Sequence, residues 1–286
     1  MKVLWTHRLG AAAGGLTFAR ESGHVLVWDA HPWLVLLNHR GELQGQVRLD
    51  DPVVAGAAAD DGSALAVADD RGQVAWFERD LAPRWRLRLR HRPTALALDP
   101  LGRGLAVADA GSRLHWYDPA GKSIRPALDA PRPLVHLLFP AAAPVLIAAA
   151  DFGFIGVLDS LGRWLWQDAP VVHAGCVACS GDAQTVGMSC FSEGVRRYSG
   201  TGRPQPVLAT PDPCRIVALT YGGSRALVAG IFGGVHGLDG GGRILAEHRT
   251  DQPVVGAGVA PRGERAVIAL ADGQICGLEL GEQFAG

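Results

Sequence analysis

Four aspartates recur at related positions along the chain and offer its clearest opportunity for acid–base or cation chemistry. They are Asp69, Asp109, Asp151 and Asp272. Each follows a short apolar run and precedes a glycine, which predicts the end of a strand and a tight turn. Carboxylates from several such turns could form an acidic ring at a channel mouth and attract a cation or a basic peptide. Alternatively, each carboxylate accepts backbone N–H groups within its own turn.

Apolar side chains stand in the same predicted turn of three consecutive stretches of sequence. They are Phe152, Phe191 and Phe232, with Ile231 beside the last. Aromatic side chains in adjacent exposed turns could form a contact patch, because aromatic residues are favoured anchors in protein interfaces. The alternative is that they fold inward and plug a central channel. The sequence leaves both interpretations open, and the first makes these residues candidates for binding a partner.

Two cysteines form a C-x-x-C pair, Cys176 and Cys179, within a predicted strand. Residues an odd number of positions apart in a strand point to opposite faces, so the two thiols should neither share a metal nor close a disulfide. We expect small buried side chains instead. The chain has five cysteines, an odd number that is unlike a disulfide framework and favours a reducing cytoplasm.

A strictly alternating basic segment runs from Arg84 to Arg92. On a strand it places Trp85, Leu87 and Leu89 inward and the arginines outward. The outward face could bind an acidic partner or nucleic acid, or it could block edge-to-edge pairing of sheets. The formal net charge of −1 favours the second interpretation and makes nucleic acid an unexpected partner.

Motifs of enzymes and of membrane segments are missing from the sequence. H-E-x-x-H, G-x-S-x-G, the P-loop and G-x-G-x-x-G do not occur, and the histidines form no recognisable catalytic arrangement. No apolar run reaches the roughly 18 residues of a transmembrane helix, and the first residues make a poor signal peptide. We therefore expect no cofactor, no resident metal and no membrane attachment. The oligomeric state is not predicted.

Glycines recur with a period near forty and define the repeating unit. One series is Gly23, Gly62, Gly102, Gly181, Gly222 and Gly263, a second is Gly72, Gly111, Gly153, Gly194, Gly233 and Gly273, and a third is Gly41, Gly121, Gly162, Gly202 and Gly242. Leu81 falls at the empty place of the third series. Three turns in each unit imply four strands, and no segment has sustained helical periodicity. In the third unit, Ser123, Ile124 and Arg125 should begin the fourth strand.

Seven such units account for the whole chain, with first strands expected near residues 14, 53, 94, 134, 174, 215 and 254. The predicted boundaries are 10–50, 51–91, 92–130, 131–170, 171–211, 212–251, and 252–286 together with 2–9. Trp5, Trp85 and Trp166 are spaced at about twice the repeat and share the fourth-strand register. Residues 2–9 should therefore supply the outer strand of the last unit and close the ring.

This pattern resembles the WD-repeat and pyrroloquinoline-quinone-type β-propellers across essentially the whole chain. Asp159, Gly162 and Trp166 are similar to the Asp–Gly–Trp pattern of the quinone family, although the aspartate and glycine are one residue closer than usual. Trp116-Tyr117-Asp118 approximates the Trp-Asp ending of a WD repeat, whereas Trp28-Asp29 lies on a second strand. The resemblance implies an all-β, seven-bladed β-propeller with Trp5, Trp85 and Trp166 packed between blades. No catalytic residue of the quinone enzymes maps onto this chain.

The sequence thus predicts a single, non-enzymatic propeller that binds a partner protein or peptide through loops on one face. Its composition, rich in Ala, Gly and Arg, is typical of a GC-rich bacterial genome and allows a role as a subunit of a larger assembly. The alternative function is a channel-site enzyme, either a metal-dependent hydrolase or lyase or a quinone-type oxidoreductase. In that case, the four recurring aspartates would be the candidate site.

Overall fold

The computed structural model describes residues 1–285 and contains seven four-stranded antiparallel sheets arranged as a β-propeller. No helix occurs among these residues. Blade 1 contains β2 (Ala13–Phe18), β3 (Val25–Asp29), β4 (Trp33–Leu37) and β5 (Leu43–Arg48). Blade 2 contains β6 (Val53–Ala58), β7 (Ala64–Asp69), β8 (Gln73–Glu78) and β9 (Pro83–Arg88). Blade 3 contains β10 (Pro93–Leu98), β11 (Leu105–Asp109), β12 (Arg113–Tyr117) and β13 (Leu128–Asp129).

The remaining blades repeat the same order. Blade 4 contains β14 (Leu134–Leu138), β15 (Val145–Ala150), β16 (Ile155–Asp159) and β17 (Trp164–Asp168). Blade 5 contains β18 (Ala174–Cys179), β19 (Thr185–Cys190), β20 (Gly194–Ser199) and β21 (Pro204–Leu208). Blade 6 contains β22 (Cys214–Leu219), β23 (Arg225–Gly230), β24 (Gly234–Asp239) and β25 (Ile244–Arg249). Blade 7 contains β26 (Val254–Val259), β27 (Arg265–Leu270), β28 (Gln274–Glu279) and β1 (Lys2–Arg8). Every first strand begins within one residue of its predicted start.

The ring closes as predicted, with the N-terminal strand serving as the outer strand of the last blade. β1 pairs antiparallel with β28, from Lys2 opposite Glu279 to Arg8 opposite Gln274. This pairing joins the two ends of the chain through backbone hydrogen bonds and leaves no open sheet edge between the first and last blades.

The turns between third and fourth strands show why glycine recurs with this period. In blade 4, Gly162 has φ +81°, a left-handed conformation that costs glycine little. The Asp159 carboxylate accepts the N–H groups of Leu161 and Arg163, both at 2.9 Å, and so fixes the turn. Blade 2 places Leu81 at the equivalent position with φ +64°, and the buried Leu81 side chain packs over Gly45 of blade 1.

Three tryptophans dock neighbouring blades, as the sequence predicts. The indole N–H of Trp5 donates to the His39 carbonyl at 3.1 Å, that of Trp85 to Pro119 at 3.2 Å, and that of Trp166 to Gly200 at 3.1 Å. In each case, the indole lies over the glycine two residues beyond its acceptor, where a Cβ atom would clash or crowd the ring. These docking residues link blades 7 and 1, 2 and 3, and 4 and 5.

Other side chains occupy the junctions that lack such a tryptophan. Arg125 donates to the Ser160 carbonyl between blades 3 and 4, and Arg197 donates to the Gly240 carbonyl between blades 5 and 6. Between blades 6 and 7, the fully buried Phe284 packs against Gly237 and Gly263. Arginine or phenylalanine side chains therefore connect these three junctions in place of tryptophan.

The predicted fourth strand of blade 3 at Ser123–Arg125 is wrong. Ser123 forms only an isolated bridge with Tyr117, and the fourth strand is the two-residue β13 (Leu128–Asp129). Pro126 explains the difference, because proline cannot donate a backbone N–H to the strand beside it. Blade 3 therefore has the shortest outer strand of the ring.

Candidate functional site

The antiparallel blades divide the turns between two faces of the ring. Successive antiparallel strands reverse direction, so second-to-third turns and inter-blade connections share one face, which we call the upper face. First-to-second and third-to-fourth turns share the opposite, lower face. All of the predicted partner-binding phenylalanines and all four predicted aspartates therefore lie on the upper face.

Phe152, Phe191 and Phe232 are exposed on the upper-face turns of blades 4, 5 and 6, and together we call them the phenylalanine arc. Their exposed fractions are 38%, 55% and 64%, respectively. Within residues 1–285 no other Phe, Trp or Tyr side chain is exposed. Ile231 beside Phe232 is only half-buried. None of these four residues borders the cavity in the central channel, which is where the inward-folded alternative would place them.

Local contacts hold Phe152 in place at one end of the arc. Its ring lies 4.9 Å from the His173 ring between centroids, and the two residues form an isolated backbone bridge. His173 Nδ1 is 3.1 Å from the Asp151 carboxylate. Val171, on the same connection as His173, is largely exposed and extends the apolar surface toward blade 5.

Two of the four recurring aspartates are buried and each accept two backbone N–H groups of their own turn. Asp69 and Asp109 end their second strands and are buried. The Asp69 carboxylate accepts the N–H groups of Arg71 and Gln73 at 2.9 and 2.8 Å. Asp109 accepts equivalent bonds and also contacts His115 Nε2 at 2.8 Å. These contacts are the turn chemistry that the sequence offers as one of its two interpretations.

The prediction that Asp151 and Asp272 also end their second strands is wrong. Asp151 lies one residue beyond β15, and Asp272 lies two residues beyond β27. Asp272 accepts the Gln274 N–H at 3.1 Å and pairs with Arg8 at 2.7 Å. None of the four aspartates borders the channel cavity, and no group of three or more His, Cys, Asp or Glu that could hold a metal occurs within residues 1–285.

Sequence reasoning missed a further member of this aspartate series, Asp29, at the end of β3. It is buried and accepts the N–H groups of His31 and Trp33 at 2.9 and 3.0 Å. The signal was its position forty residues before Asp69, obscured because this turn contains His31-Pro32 in place of glycine. The strand-ending aspartate is present in blades 1 to 3 and absent at the strand ends of blades 4 to 6, where the exposed phenylalanines stand.

The central channel contains a cavity of about 210 Å³, bordered by the first strands of all seven blades. Three polar side chains span its lower mouth: Arg20 of blade 1, Asp60 of blade 2 and Tyr221 of blade 6. Arg20 contacts the Asp60 carboxylate through Nε at 3.3 Å and Nη2 at 3.1 Å, and the Tyr221 hydroxyl donates to the same carboxylate at 3.0 Å. The guanidinium also lies 4.6 Å from the Tyr221 ring centroid.

This group, which we call the mouth triad, is largely withdrawn from water. The Arg20 and Asp60 side chains are only 13% and 11% exposed. Burial raises the pKa of Tyr221 above its ordinary range, so its hydroxyl stays protonated and available as a donor. The sequence signal was weak: Arg20 and Asp60 are forty residues apart, but nothing local indicates that Tyr221 crosses from blade 6.

The two cysteines of the C-x-x-C pair point to opposite faces of their blade, as predicted. Cys176 contacts the Val217 carbonyl of blade 6 at 3.5 Å, whereas Cys179 packs with blade 4 residues such as Ile147. Burial raises the pKa of Cys176 and raises that of Cys179 to about 12. Both thiols are therefore protonated at neutral pH and poor nucleophiles.

The basic segment of blade 2 also has the predicted orientation. Arg84, Arg86 and Arg88 are exposed, while Trp85 and Leu87 are half-buried against the core. Two of these arginines face carboxylates, with Arg84 at 3.2 Å from Glu78 and Arg86 at 3.7 Å from Asp50. Nearby acids therefore offset part of the positive charge on this edge.

One histidine near the arc is also held neutral. His136, on the first strand of blade 4, places Nε2 at 3.3 Å from the Ala174 carbonyl. Burial lowers the pKa of His136, and the contact with the Ala174 carbonyl offsets this only in part. Its imidazole is therefore uncharged at neutral pH and adds no positive charge to this part of the ring.

No protein-family model matches the sequence, and no curated protein matches it. Within residues 1–285, no helix is long and apolar enough to cross a membrane. The fold therefore defines the class of protein: a seven-bladed β-propeller, an architecture that commonly serves as a scaffold for protein interactions.

Proposed function

We propose that this propeller is a non-enzymatic scaffold that binds a partner protein or peptide through the phenylalanine arc. One observation carries the proposal: every exposed aromatic side chain of residues 1–285 lies in three consecutive turns on one face. Isolated exposed apolar residues are ordinary, but clustered exposed aromatics indicate a contact surface. Aromatic residues are also enriched among the side chains that dominate binding energy.

The turns that carry Phe152 and Phe232, in blades 4 and 6, are held by backbone hydrogen bonds to the residues that connect neighbouring blades. The Ala174 N–H donates to the Asp151 carbonyl at 2.8 Å, and the Thr250 N–H donates to the Gly233 carbonyl at 2.9 Å. A surface held in this way loses little conformational freedom when a partner binds. This supports recognition by a surface whose two ends, at blades 4 and 6, are preformed.

Several features favour a binding role over the alternative of an enzyme in the channel. Most side chains around the channel cavity are apolar, and its cysteine thiols have raised pKa values. The buried carboxylates of Asp69 and Asp109 are committed to their turns. We further propose a kinship with WD-repeat and quinone-type propellers, supported by the docking tryptophans, and a place in a bacterial cytoplasm, supported by five free cysteines.

Substituting the three phenylalanines of the arc should abolish binding of the partner. We expect the Phe152→Ser, Phe191→Ser, Phe232→Ser triple variant to lose at least about 100-fold in affinity, since one anchoring side chain often contributes about 2 kcal/mol or more. The measurement is quantitative co-purification from native lysate. The matched control carries Leu43→Ser, Leu165→Ser and Ile244→Ser, which alter equally exposed apolar residues on fourth strands. Identical partner profiles for wild type and arc variant would contradict the proposal.

A further inference from the structure

The central channel is bordered by main-chain groups that no neighbouring strand pairs. The seven blades are separate sheets, so the first strand of each blade has a partner on only one side. In blade 6, the Thr220 N–H donates to the Arg225 carbonyl at 3.2 Å and closes the first hairpin. Hydrogen-bonded positions alternate along an antiparallel pair of strands. Val217 and Leu219 take the other positions, so their N–H and carbonyl groups face the channel.

The repeat places two such residues in every blade, and together they form two stacked rings around the channel. They run from Leu16 and Phe18 in blade 1 to Ala257 and Val259 in blade 7, and all of them border the cavity of about 210 Å³. Each contributes one N–H donor and one carbonyl acceptor. Within residues 1–285, Cys176 is the one side chain that bonds to these carbonyls, with its thiol 3.5 and 3.7 Å from two of them. Buried main-chain groups of this kind require water or a ligand as partner.

The cavity has no net charge. Arg20 and Asp60 are the charged side chains that border it, and they pair with each other at 3.1 Å. Burial raises the pKa of the two thiols beside the cavity, those of Cys176 and Cys179, so both are uncharged. Arg20 holds Asp60 through Nε and Nη2, whereas its Nη1 forms no hydrogen bond within residues 1–285. The site therefore offers many donors and acceptors without favouring an ion of either sign.

The upper end of the channel gives a small molecule access to this cavity. Gly14, Gly175 and Arg215 are each the second residue of a first strand, and all three are exposed. The mouth triad spans the lower end. The volume corresponds to about seven waters at ~30 Å³ each, which suits one small ring and is too little for a peptide segment.

From these observations, we infer that the central channel binds one small, neutral cyclic polyol, such as an inositol or a monosaccharide. Every hydroxyl both donates and accepts, so hydroxyls around a ring match the donors and acceptors that surround the channel. A charged molecule of the same size would lose its hydration without meeting an unpaired opposite charge. The inference is independent of the phenylalanine arc, none of whose residues borders the cavity.

Isothermal titration calorimetry on the full chain tests the inference. The neutral probes are myo-inositol, D-glucose, D-galactose and D-mannose. The comparison probes are D-glucuronate and D-glucosamine, which add a charge, and maltose, which is too large for the cavity. We expect saturable binding of at least one neutral probe, with one molecule bound per chain. Each comparison probe should bind at least about ten-fold more weakly than the tightest neutral one.

Amide chemical shifts of the unmodified protein locate the binding without any substitution. The tightest neutral probe should shift the amide resonances of Val217 and Leu219, whose N–H groups face the channel. The amides of Phe191 and Phe232, on the upper-face turns, should not move.

A double variant tests the side chains at the lower end of the cavity. Arg20→Met with Asp60→Leu leaves no unpaired charge and should still fold, but should weaken the tightest neutral probe about ten-fold or more. The arc triple variant should bind that probe as wild type does. The inference is overturned if no neutral probe saturates at millimolar concentration, or if a charged probe binds equally well. Shifts confined to residues outside the channel, or unchanged binding by the double variant, would overturn it too.

Discussion

Replacing Asp60 with Ala should lower the free energy of unfolding by about 3–5 kcal/mol, as expected when one member of a buried ion pair is removed. The substitution leaves the Arg20 guanidinium with little water and without its bidentate partner. It also removes the acceptor of the Tyr221 hydroxyl. Since these side chains come from blades 1, 2 and 6, the loss should weaken the ring as a whole.

The backbone contacts of Asp60 make this prediction specific to the side chain. Its carbonyl accepts the N–H groups of Glu21 and Ser22, both at 3.0 Å, and a substitution leaves that carbonyl in place. Blades 1 and 2 therefore remain joined by their main chains in the variant. The measured change should reflect the mouth triad and not the loss of this junction.

Urea titration, with reversibility verified, measures the effect. The control is Asp50→Ala, which removes an 80% exposed carboxylate 3.7 Å from Arg86 and should cost less than about 1 kcal/mol. Replacing the pair together, Arg20→Met with Asp60→Leu, should recover much of the lost stability, because no unpaired charge then remains. Equal destabilisation by Asp60→Ala and Asp50→Ala would show that the triad does not hold the ring.

Phe284→Ala is expected to have the second large effect, about 3–5 kcal/mol, as for other fully buried phenylalanines. In blade 6, Ala246 of the fourth strand pairs with Gly237 of the third strand. This is the position at which Trp85 pairs with Trp76 in blade 2, so blade 6 has only a methyl group where blade 2 has its docking tryptophan. Phe284 supplies the missing ring and packs against Gly237 and Gly263. Its truncation would leave a cavity between blades 6 and 7.

The same substitution at an exposed phenylalanine is the control. Phe232→Ala changes a side chain that is mostly in water, so it should alter the free energy of unfolding by less than about 0.5 kcal/mol. Both variants are measured by urea titration under one set of conditions. If Phe284→Ala were as mild as Phe232→Ala, the junction between blades 6 and 7 would have to be held by other contacts.

The architecture was predictable because its signals are local. A turn that requires φ > 0 favours glycine, so Gly162 and its counterparts mark the third-to-fourth turns in the sequence itself, except in blade 2, where Leu81 takes the place. The repeat then fixes the number of blades, and Trp5 in the fourth-strand register identifies the strand that closes the ring. The fourth strand of blade 3 was predicted wrongly because the spacing of the repeat indicates a strand at Ser123–Arg125, whereas Pro126 prevents continuous pairing there.

The sites were less predictable, because they depend on contacts between distant parts of the chain. Phe191 would occupy the same turn whether it faced solvent or the channel, so its exposure could be learned only from the fold. Tyr221 reaches Asp60 across 161 residues, a contact that no local pattern encodes. Phe284 was missed for the same reason, since its role depends on the absence of a large side chain at Ala246.

Photo-crosslinking tests the proposed function most directly. Benzoylphenylalanine is introduced singly at Phe152, Phe191, Phe232 or Ile244, and each variant is irradiated in lysate. We predict the same crosslinked partner at the three arc positions and none at Ile244, which is exposed on the outer strand of blade 6. No crosslink at any arc position, or an equal yield of that partner at Ile244, would contradict binding through the phenylalanine arc.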